Sequence, residues 1–351
     1  MNHQYYNVLG IMSGTSLDGI DIAHVTLVRK EQWSFQIHVA QTIHYPNFIK
    51  EKLSNAIGFN DKEIIEFNNQ YTSYLAETIN TFINTYRIDD LLAVCSHGHT
   101  IFHQPQDKFT LQIGNLPKLA KLIKQRVVCD FRIQDVQFNG QGAPLVPIGD
   151  RLLFGDYDYC LNLGGFANIS YEHSFQRIAY DICPVNVVLN HYALKLGKEY
   201  DEGGAFAKAG TIHTTQLKQL NNLDFYSNKP PRSLGMEWVN ENIFHILEEI
   251  HNPKDALATF TEHVAIQIAE QLDSHKTLLV TGGGAFNTYL VDAIRNHSDV
   301  DIIVPDQLLV ENKEALIFAF LGVLRLRNEN NCLASVTGAS KDHSSGFIYV
   351  P

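Results

Sequence analysis

The stretch GIMSGTSLDGID, residues 10–21, places a short polar turn between two β-prone flanks, Val8 to Met12 and Ile20 to Val28. This pattern predicts a β-hairpin. The backbone N–H groups and hydroxyls of such a turn converge on one point, and a concavity of that kind binds phosphate oxygens. A turn that uses Gly, Ser and Asp only for their turn chemistry explains the same residues. The stretch alone leaves both interpretations open.

The segments after the hairpin predict an α/β fold in two similar halves. WSFQIHVAQTIHY from Trp33 is a third strand, and apolar residues at three- and four-residue steps predict an amphipathic helix that begins near Asp61, a possible N-cap. LLAVCSHGHT follows as a buried strand. Hairpin, third strand, helices and a glycine-tipped strand then recur between Tyr157 and Asn287. Two such halves would meet at a cleft, where ligands of open α/β folds bind.

Composition sets limits on the class of protein. The chain has 351 residues, 45% of them hydrophobic, and a formal net charge of −11 without a basic block, which argues against nucleic acid as a partner. Its five cysteines form no CxxC pair, so neither a zinc ribbon nor a disulfide framework is indicated. No signal peptide or membrane span is apparent. We therefore expect a cytoplasmic protein with no membrane partner.

Two further glycine-rich turns favour a nucleotide ligand. LNLGGFANIS places Gly164 and Gly165 at a strand-to-strand turn, and LLVTGGGAFN places three glycines after a buried strand, Gly282, Gly283 and Gly284. Such glycines let a ligand approach the backbone closely, although tight packing alone would also select them. The P-loop pattern GxxxxGK[ST] and the pattern GxGxxG are absent, which argues against a Walker-type NTPase and a Rossmann dehydrogenase.

Several side chains could carry chemistry. Asp181 ends the strand IAYDICPVN, where a rigid backbone would suit a general base, but it could equally cap the next helix. Asp18 and Asp21 could hold a hydrated Mg²⁺ ion. SHGHTIFHQP has metal-like histidine spacing but lacks a complete ligand set, so hydrogen bonding within the loop or substrate contact is the preferred interpretation. Its histidines are His97, His99 and His103.

These motifs together resemble the anhydro-N-acetylmuramic acid kinase family. After GIMSGTSLDGID, the blocks SHGHTIFHQP, VVCDFR, NGQGAPLVP, LNLGGFANIS, KPPRSLGMEW, VTGGGAFN and SVTGAS follow in the order that the family has. The resemblance implies two RNase H-like domains of the sugar kinase/Hsp70/actin type with an interdomain cleft. It also implies an ATP-dependent enzyme of cell-wall sugar recycling, which opens the 1,6-anhydro ring and phosphorylates O6.

The resemblance also implies roles for individual residues. Asp181 matches the catalytic base that activates water, and Gly282–Gly284 match the adenosine-side turn. His97, Arg132, Asn186 and Glu314 match positions of the sugar site. The implied partners are ATP, Mg²⁺ and, as an expectation from the family, a second copy of the chain in a homodimer. We expect domain I to comprise residues 1–134 with 336–351, and domain II residues 135–335. The implied phosphate-binding turn consists of Gly14, Thr15, Ser16, Leu17, Asp18, Gly19, Ile20 and Asp21.

One block departs from the family pattern and keeps alternatives open. The family's DTGPGN reads DICPVN here, so Cys183 and Val185 replace two glycines, and Asn139 stands where the family more often has glycine. Added side chains there would change the fit of the sugar, which favours a same-fold kinase for a different amino sugar or anhydro-sugar as the second hypothesis. A third hypothesis is a nucleotide-gated scaffold, by analogy with other members of the superfamily.

Overall fold

The computed structural model describes residues 4–14 and 17–351. The strands are β1 Tyr5–Ser13, β2 Gly19–Arg29, β3 Trp33–His44, β4 Ala93–Gln104, β5 Phe109–Ile113, β6 Val127–Cys129, β7 Tyr159–Leu163, β8 Phe166–His173, β9 Gln176–Pro184, β10 Thr277–Thr281, β11 Asp301–Ile303 and β12 Phe347–Tyr349. The helices are α1 Asn47–Asn55, α2 Asp61–Tyr86, α3 Lys118–Ile123, α4 Ile133–Gln137, α5 Pro147–Leu153, α6 Asn186–Lys195, α7 Ala205–Lys208, α8 Thr214–Asn221, α9 Met236–Asn242, α10 Phe244–Glu248, α11 Pro253–Ala269, α12 Thr288–His297, α13 Gln307–Leu326 and α14 Ala334–Thr337.

The two sheets repeat one topology. The first has the order β12-β6-β4-β1-β2-β3, with β5 paired to β4, and the second has the order β11-β10-β7-β8-β9. In each sheet an antiparallel three-stranded meander is followed by two parallel strands on the side of its first strand. This arrangement is that of an RNase H-like domain, so the duplication expected from the order of the motifs is confirmed.

The chain divides into two compact units, each with its own apolar core. Unit 1 comprises Met1–Leu153 and Asn312–Pro351, and unit 2 comprises Phe154–Glu311. The first core fills the space between the sheet and α2, whereas α6, α11 and α12 supply much of the second. No helix in the described ranges has the length and apolar character needed to cross a membrane.

The division between the units lies elsewhere than the expected boundaries after residues 134 and 335. Residues 135–153 remain with unit 1, partly because Thr337 Oγ1 donates a hydrogen bond to Asp135 Oδ1 at 2.7 Å. Most of α13 also belongs to unit 1, because the backbone of β1 touches it at Gly10. A Cβ atom on Gly10 would lie 1.9 Å from the Ala315 carbonyl oxygen, so only glycine fits there. Because these contacts join segments far apart in the sequence, the local composition does not show where the units divide.

The long helix α2 begins as its sequence pattern predicts, but with a different cap. Asn60, and not Asp61, is the N-cap: its side chain accepts hydrogen bonds from the N–H groups of Lys62 and Glu63. The Glu63 carboxylate accepts in return from the Asn60 N–H at 2.9 Å, which completes a capping box. Asp61 therefore lies in the first turn, where its negative charge interacts favourably with the helix dipole.

Candidate active-site residues in the two units

The glycine-rich hairpin is formed as predicted from β1 and β2, which pair from Tyr5–Val28 to Met12–Asp21. Thr15 and Ser16, expected in the phosphate-binding turn, lie outside the described residues. Leu17 next to them has φ of +60°, a conformation that a bulky side chain rarely adopts and that is found at functional sites. Asp18 is exposed, and its carbonyl oxygen accepts from His44 Nδ1 at 3.0 Å.

A buried hydroxyl network anchors the end of β1 just before this turn. Ser13 Oγ lies 2.5 Å from the Tyr45 hydroxyl, 3.0 Å from the Tyr71 hydroxyl and 2.8 Å from His99 Nδ1. Burial raises the pKa of Tyr45 to about 12 and lowers the pKa of His99 to about 4, so the network is uncharged at neutral pH. No single motif in the sequence contains this network, because its members come from four separate segments.

The three histidines of SHGHTIFHQP do not converge on one point. His99 binds Ser13, His103 Nδ1 lies 3.1 Å from Thr110 Oγ1, and His97 binds Arg132. Among the residues that the structure describes, they form no metal cluster. All three histidines lie on strand β4 and not in a loop, and the partners named here belong to other segments. Hydrogen bonding within a loop is therefore not what these contacts show, and substrate contact stays a prediction.

The hydrogen bonds of the His97 ring define which of its nitrogens carries the proton. The Nδ1–H of His97 donates to the Gly98 carbonyl at 2.8 Å, so its Nε2 accepts from Arg132 Nε at 2.9 Å. Burial, and next the charge of Arg132, hold the pKa of His97 well below its ordinary value. Arg132 also donates through Nη1 to the Gly142 carbonyl at 2.7 Å. These bonds fix the guanidinium of Arg132 in one orientation.

Glu314 and Asp21 complete the charged group around Arg132. Glu314, on α13, is accessible to solvent, yet the protein packed around its carboxyl group raises its pKa. The charge of Arg132 opposes this shift, whereas the charge of Asp21 adds to it. Asp21 also accepts from Thr42 Oγ1 at 2.6 Å. Unit 1 thus brings together His97, Arg132, Glu314 and Asp21, which lie far apart in sequence.

Asp130 is a further candidate that sequence reasoning did not single out, although it lies in the quoted block VVCDFR. It follows β6 directly, with φ of +58°, and accepts from Asn115 Nδ2 at 2.8 Å. Burial raises its pKa to about 6, and the hydrogen bonds from Asn115 and Cys129 oppose the shift. A strand-end carboxyl group with such a pKa is typical of functional sites.

In unit 2, the segment after Pro231 holds Asp181 on β9, which does not end at Asp181 as expected but continues to Pro184. The Asp181 N–H donates to the Arg232 carbonyl at 3.0 Å, and Arg232 Nε donates to the Asp181 carbonyl at 3.1 Å. The Leu234 N–H donates to Asp181 Oδ2 at 2.9 Å. Burial raises the pKa of Asp181, and the bond from Leu234 and then the charge of Arg232 oppose the rise. The block KPPRSLGMEW therefore positions the carboxylate.

The glycine turns of unit 2 meet beside the start of α6. The Val185 N–H donates to the Gly165 carbonyl at 2.8 Å, and Asn186 Nδ2 donates to the Leu163 carbonyl at 3.2 Å. Gly282 has φ of +82°, and a Cβ atom there would lie 2.6 Å from Asn162 Oδ1, so its glycine is required. Gly283 and Gly284 face Asn186 Nδ2. The structure thus brings Gly164, Gly165, Asn186 and Gly282–Gly284 together.

The two residues that depart from the family pattern point into the core of unit 2. Cys183 and Val185 are each 0% exposed and belong to its hydrophobic cluster. Val185 has φ of −133°, so the backbone there does not require glycine. Asn139, in contrast, has φ of +65°, which asparagine tolerates in place of glycine. The expectation that these substitutions add side chains to a ligand-facing surface is wrong for Cys183 and Val185.

The chain has two RNase H-like units. One carries the Gly/Ser/Asp hairpin, and the other carries the Asp181 carboxylate on β9 together with the glycine turns. These features are those of the sugar kinase/Hsp70/actin class of proteins. A sequence model described as Anhydro-N-acetylmuramic acid kinase matches residues 6–351. The chain belongs to the anhydro-N-acetylmuramic acid kinase family.

The chain is similar over its length to curated members of this family. It is 33% identical to the Anhydro-N-acetylmuramic acid kinase of Mannheimia succiniciproducens, over 99% of this chain and 100% of the relative. It is 32% identical to the Anhydro-N-acetylmuramic acid kinase of Haemophilus influenzae, over 99% of this chain and 98% of the relative. It is 33% identical to that of Saccharophagus degradans, over 98% of each chain.

Proposed function

We propose that the protein transfers the γ-phosphate of ATP to O6 of anhydro-N-acetylmuramic acid while water opens the 1,6-anhydro ring. The products are N-acetylmuramic acid 6-phosphate and ADP. Membership of the family supports this reaction. The observation that carries the mechanism is the environment of Asp181 on β9: its carboxylate accepts from the Leu234 N–H, and its own N–H and carbonyl groups are both hydrogen-bonded to Arg232.

Asp181 acts as the general base. It takes a proton from water, whose oxygen bonds to the anomeric carbon as the bond from that carbon to O6 breaks. The released O6 bonds to the γ-phosphorus, and the bond from phosphorus to the leaving oxygen of ADP breaks. The hydrogen bond from the Asp181 N–H to the Arg232 carbonyl holds the backbone at Asp181, and the bond from the Leu234 N–H to Asp181 Oδ2 orients the carboxylate for proton transfer from water.

Unit 1 supplies the sugar side. Arg132 is oriented by His97 and Gly142, and it is the cation that suits the carboxylate of the lactyl group on this sugar. His97 stays neutral, so it acts as a hydrogen-bonding partner and not as an acid. Glu314, whose pKa is raised, accepts hydrogen bonds from sugar hydroxyls. The need to arrange all three explains why they converge in the fold.

The phosphates and adenosine bind to the turns. In unit 1, residues 14–21 hold phosphate oxygens. In unit 2, Gly282–Gly284 take the adenosine side, with Gly164 and Gly165 as further nucleotide-binding glycines. Asn186, a sugar-site residue by the resemblance, lies beside these unit 2 turns. Asp18 and Asp21 fit a Mg²⁺ ion, because two carboxylates beside a phosphate-binding turn match its preference for few protein ligands and several waters. Such an ion neutralises charge on the transferred phosphoryl group.

The alternative of a different sugar loses its main support, since Cys183 and Val185 lie in the core. The scaffold alternative leaves the ordered environment of Asp181 without a role. A homodimer stays an expectation from the family.

The test is mass spectrometry of products formed from anhydro-N-acetylmuramic acid, ATP and Mg²⁺ in oxygen-18 water. We expect a product heavier by one phosphate and one labelled oxygen. Asp181→Asn should lower the rate by about 10²–10⁴-fold, as loss of a general base does, while ATP binding is retained. Asp156→Asn, at an exposed carboxylate of the same unit, is the matched control. Unlabelled phosphosugar, or full activity in Asp181→Asn, would refute the proposed mechanism.

A further inference from the structure

Unit 1 contains three potential metal ligands that the proposed reaction does not use. Asp135, Cys332 and His343 are 0%, 2% and 6% exposed. One carboxylate oxygen, the thiol sulfur and one ring nitrogen all lie within 4.8 Å of one another. In the described part of the chain, these three residues form the cluster of potential metal ligands with this spacing. We call them the DCH cluster.

The ring nitrogen of His343 that faces the DCH cluster lacks a hydrogen-bonding partner. Its Nδ1 lies 3.1 Å from the Lys341 carbonyl, which can only accept, so Nδ1 carries the proton and Nε2 offers its lone pair. Nε2 is buried and forms no hydrogen bond. It lies 3.6 Å from Asp135 Oδ1, too far for a hydrogen bond. Nitrogen and oxygen ligands of one tetrahedral zinc ion are about 3.4 Å apart.

Asp135 is a fully buried carboxylate whose hydrogen bonds come from neutral donors. Oδ1 accepts from Thr337 Oγ1 and Oδ2 from the Gly142 N–H, each at 2.7 Å. Each oxygen retains a second lone pair. A buried charge is costly unless it is compensated, and Arg132 lies near enough for its charge and that of Asp135 to interact. A metal ion bound by the DCH cluster would add a second cation, in direct contact with the Asp135 carboxylate.

The backbone already holds the other two ligands together. Cys332 and His343 face each other across an antiparallel bridge, with N–H to carbonyl distances of 3.1 and 3.2 Å in the two directions. The Cys332 thiol donates to the Phe131 carbonyl at a long distance of 4.0 Å, and the Ser345 side chain also hydrogen-bonds to it.

We propose that the DCH cluster is a structural site for a zinc-like divalent ion, with a water molecule as the fourth ligand. Thiolate, imidazole and carboxylate in tetrahedral geometry suit Zn²⁺. The ion would connect α4 to the C-terminal segment 332–343. Through Asp135 and Gly142 it would also support Arg132, whose Nη1 binds the Gly142 carbonyl. This inference does not depend on the proposed reaction.

The test begins with the full-length protein freed of metal by a chelator and titrated with Co²⁺. We expect about one ion per chain, tetrahedral d–d bands in the visible range and a thiolate-to-cobalt charge-transfer band in the near ultraviolet. Elemental analysis after Zn²⁺ loading and dialysis should give the same ratio. Zn²⁺ at about a hundredfold excess over its Kd should raise the unfolding midpoint by roughly 5–10 °C.

Variants locate the site. Cys332→Ser should lose the charge-transfer band, and His343→Gln should lose the stabilisation by Zn²⁺. Cys160→Ser, which alters a buried cysteine of unit 2, should change neither. The wild-type titration needs no variant, so misfolding of Cys332→Ser would not prevent a decision. Absence of the charge-transfer band in the wild type, or its persistence in folded Cys332→Ser, would overturn the proposal and leave an imidazolium–carboxylate pair in its place.

Discussion

Replacing Cys183 and Val185 by glycine tests whether these residues belong to the core or to the sugar site. The double substitution returns DICPVN to the glycine positions of the family pattern. Both side chains are 0% exposed within the core of unit 2. We therefore expect a loss of stability and no gain in turnover of anhydro-N-acetylmuramic acid.

The size of the loss follows from burial. Val185→Gly removes three buried carbon atoms at about 0.8 kcal/mol each and adds about 0.5–1 kcal/mol of backbone entropy, about 3 kcal/mol in all. Cys183→Gly, in strand β9, should cost about 2 kcal/mol by the same reasoning. The sum of about 5 kcal/mol is a large part of the stability of an ordinary domain, so each single variant is measured before the double variant.

The assay combines urea unfolding, followed by circular dichroism, with kcat/KM on the family sugar and on a panel of amino sugars. Leu189→Ala is the control, because Leu189 is 3% exposed in the same core and its truncation should cost about 2–5 kcal/mol. Both kinds of variant should lose stability and keep the substrate preference. A Cys183→Gly or Val185→Gly protein with unchanged stability and tenfold higher kcat/KM would refute the core assignment.

Three other substitutions test the unit structures. Asp130→Asn should stabilise the protein at pH 8 by up to about 3 kcal/mol, because the fold raises the pKa of the wild-type carboxyl group to about 6. In the wild type, the free energy of unfolding should therefore fall by this amount as the pH rises from about 4 to 6 and the buried carboxyl group becomes charged. Urea unfolding at both pH values measures the gain, and an equal effect at pH 4 would contradict it. Arg232→Gln removes a positive charge that lowers the pKa of Asp181, so the acidic limb of the kcat profile should move to higher pH; an unmoved limb would argue against Asp181 as the base. Gly10→Ala places a methyl group 1.9 Å from the Ala315 carbonyl oxygen, so thermal unfolding should show a loss of about 3 kcal/mol or more, and a stable variant would contradict the close approach of β1 to α13.

The hairpin and the repeated topology were predictable because their signals are local. Alternating β-prone flanks and a Gly/Ser/Asp turn within residues 5–29 identify β1 and β2, and the predicted flanks fall within the observed strands. The same reasoning located β9 and the glycine turns of unit 2. The family was recognisable from its blocks before any contact was known.

Contacts between distant segments were not predictable. His97 and Arg132 are both quoted in motifs, but only the fold shows that His97 Nε2 accepts from Arg132 Nε. The hydrogen bond from Arg232 Nε to the Asp181 carbonyl joins residues 51 positions apart. The direction of the Cys183 side chain depends on the packing of β9 against its core, and the pattern of residues around it does not show which face is buried.

The sequence by itself determined the α/β class of fold, because strand and helix patterns are residue types at short spacing. The resemblance of its series of motifs to a known family implied the family and Asp181 as the candidate base. Only the tertiary structure decided the boundaries of the units, the protonation state of His97, the core location of Cys183 and Val185, and the DCH cluster. Burial and hydrogen bonding between remote segments set these properties. A single position in the chain does not contain that information, because the pKa of a group and the environment of a side chain depend on what the fold packs against it.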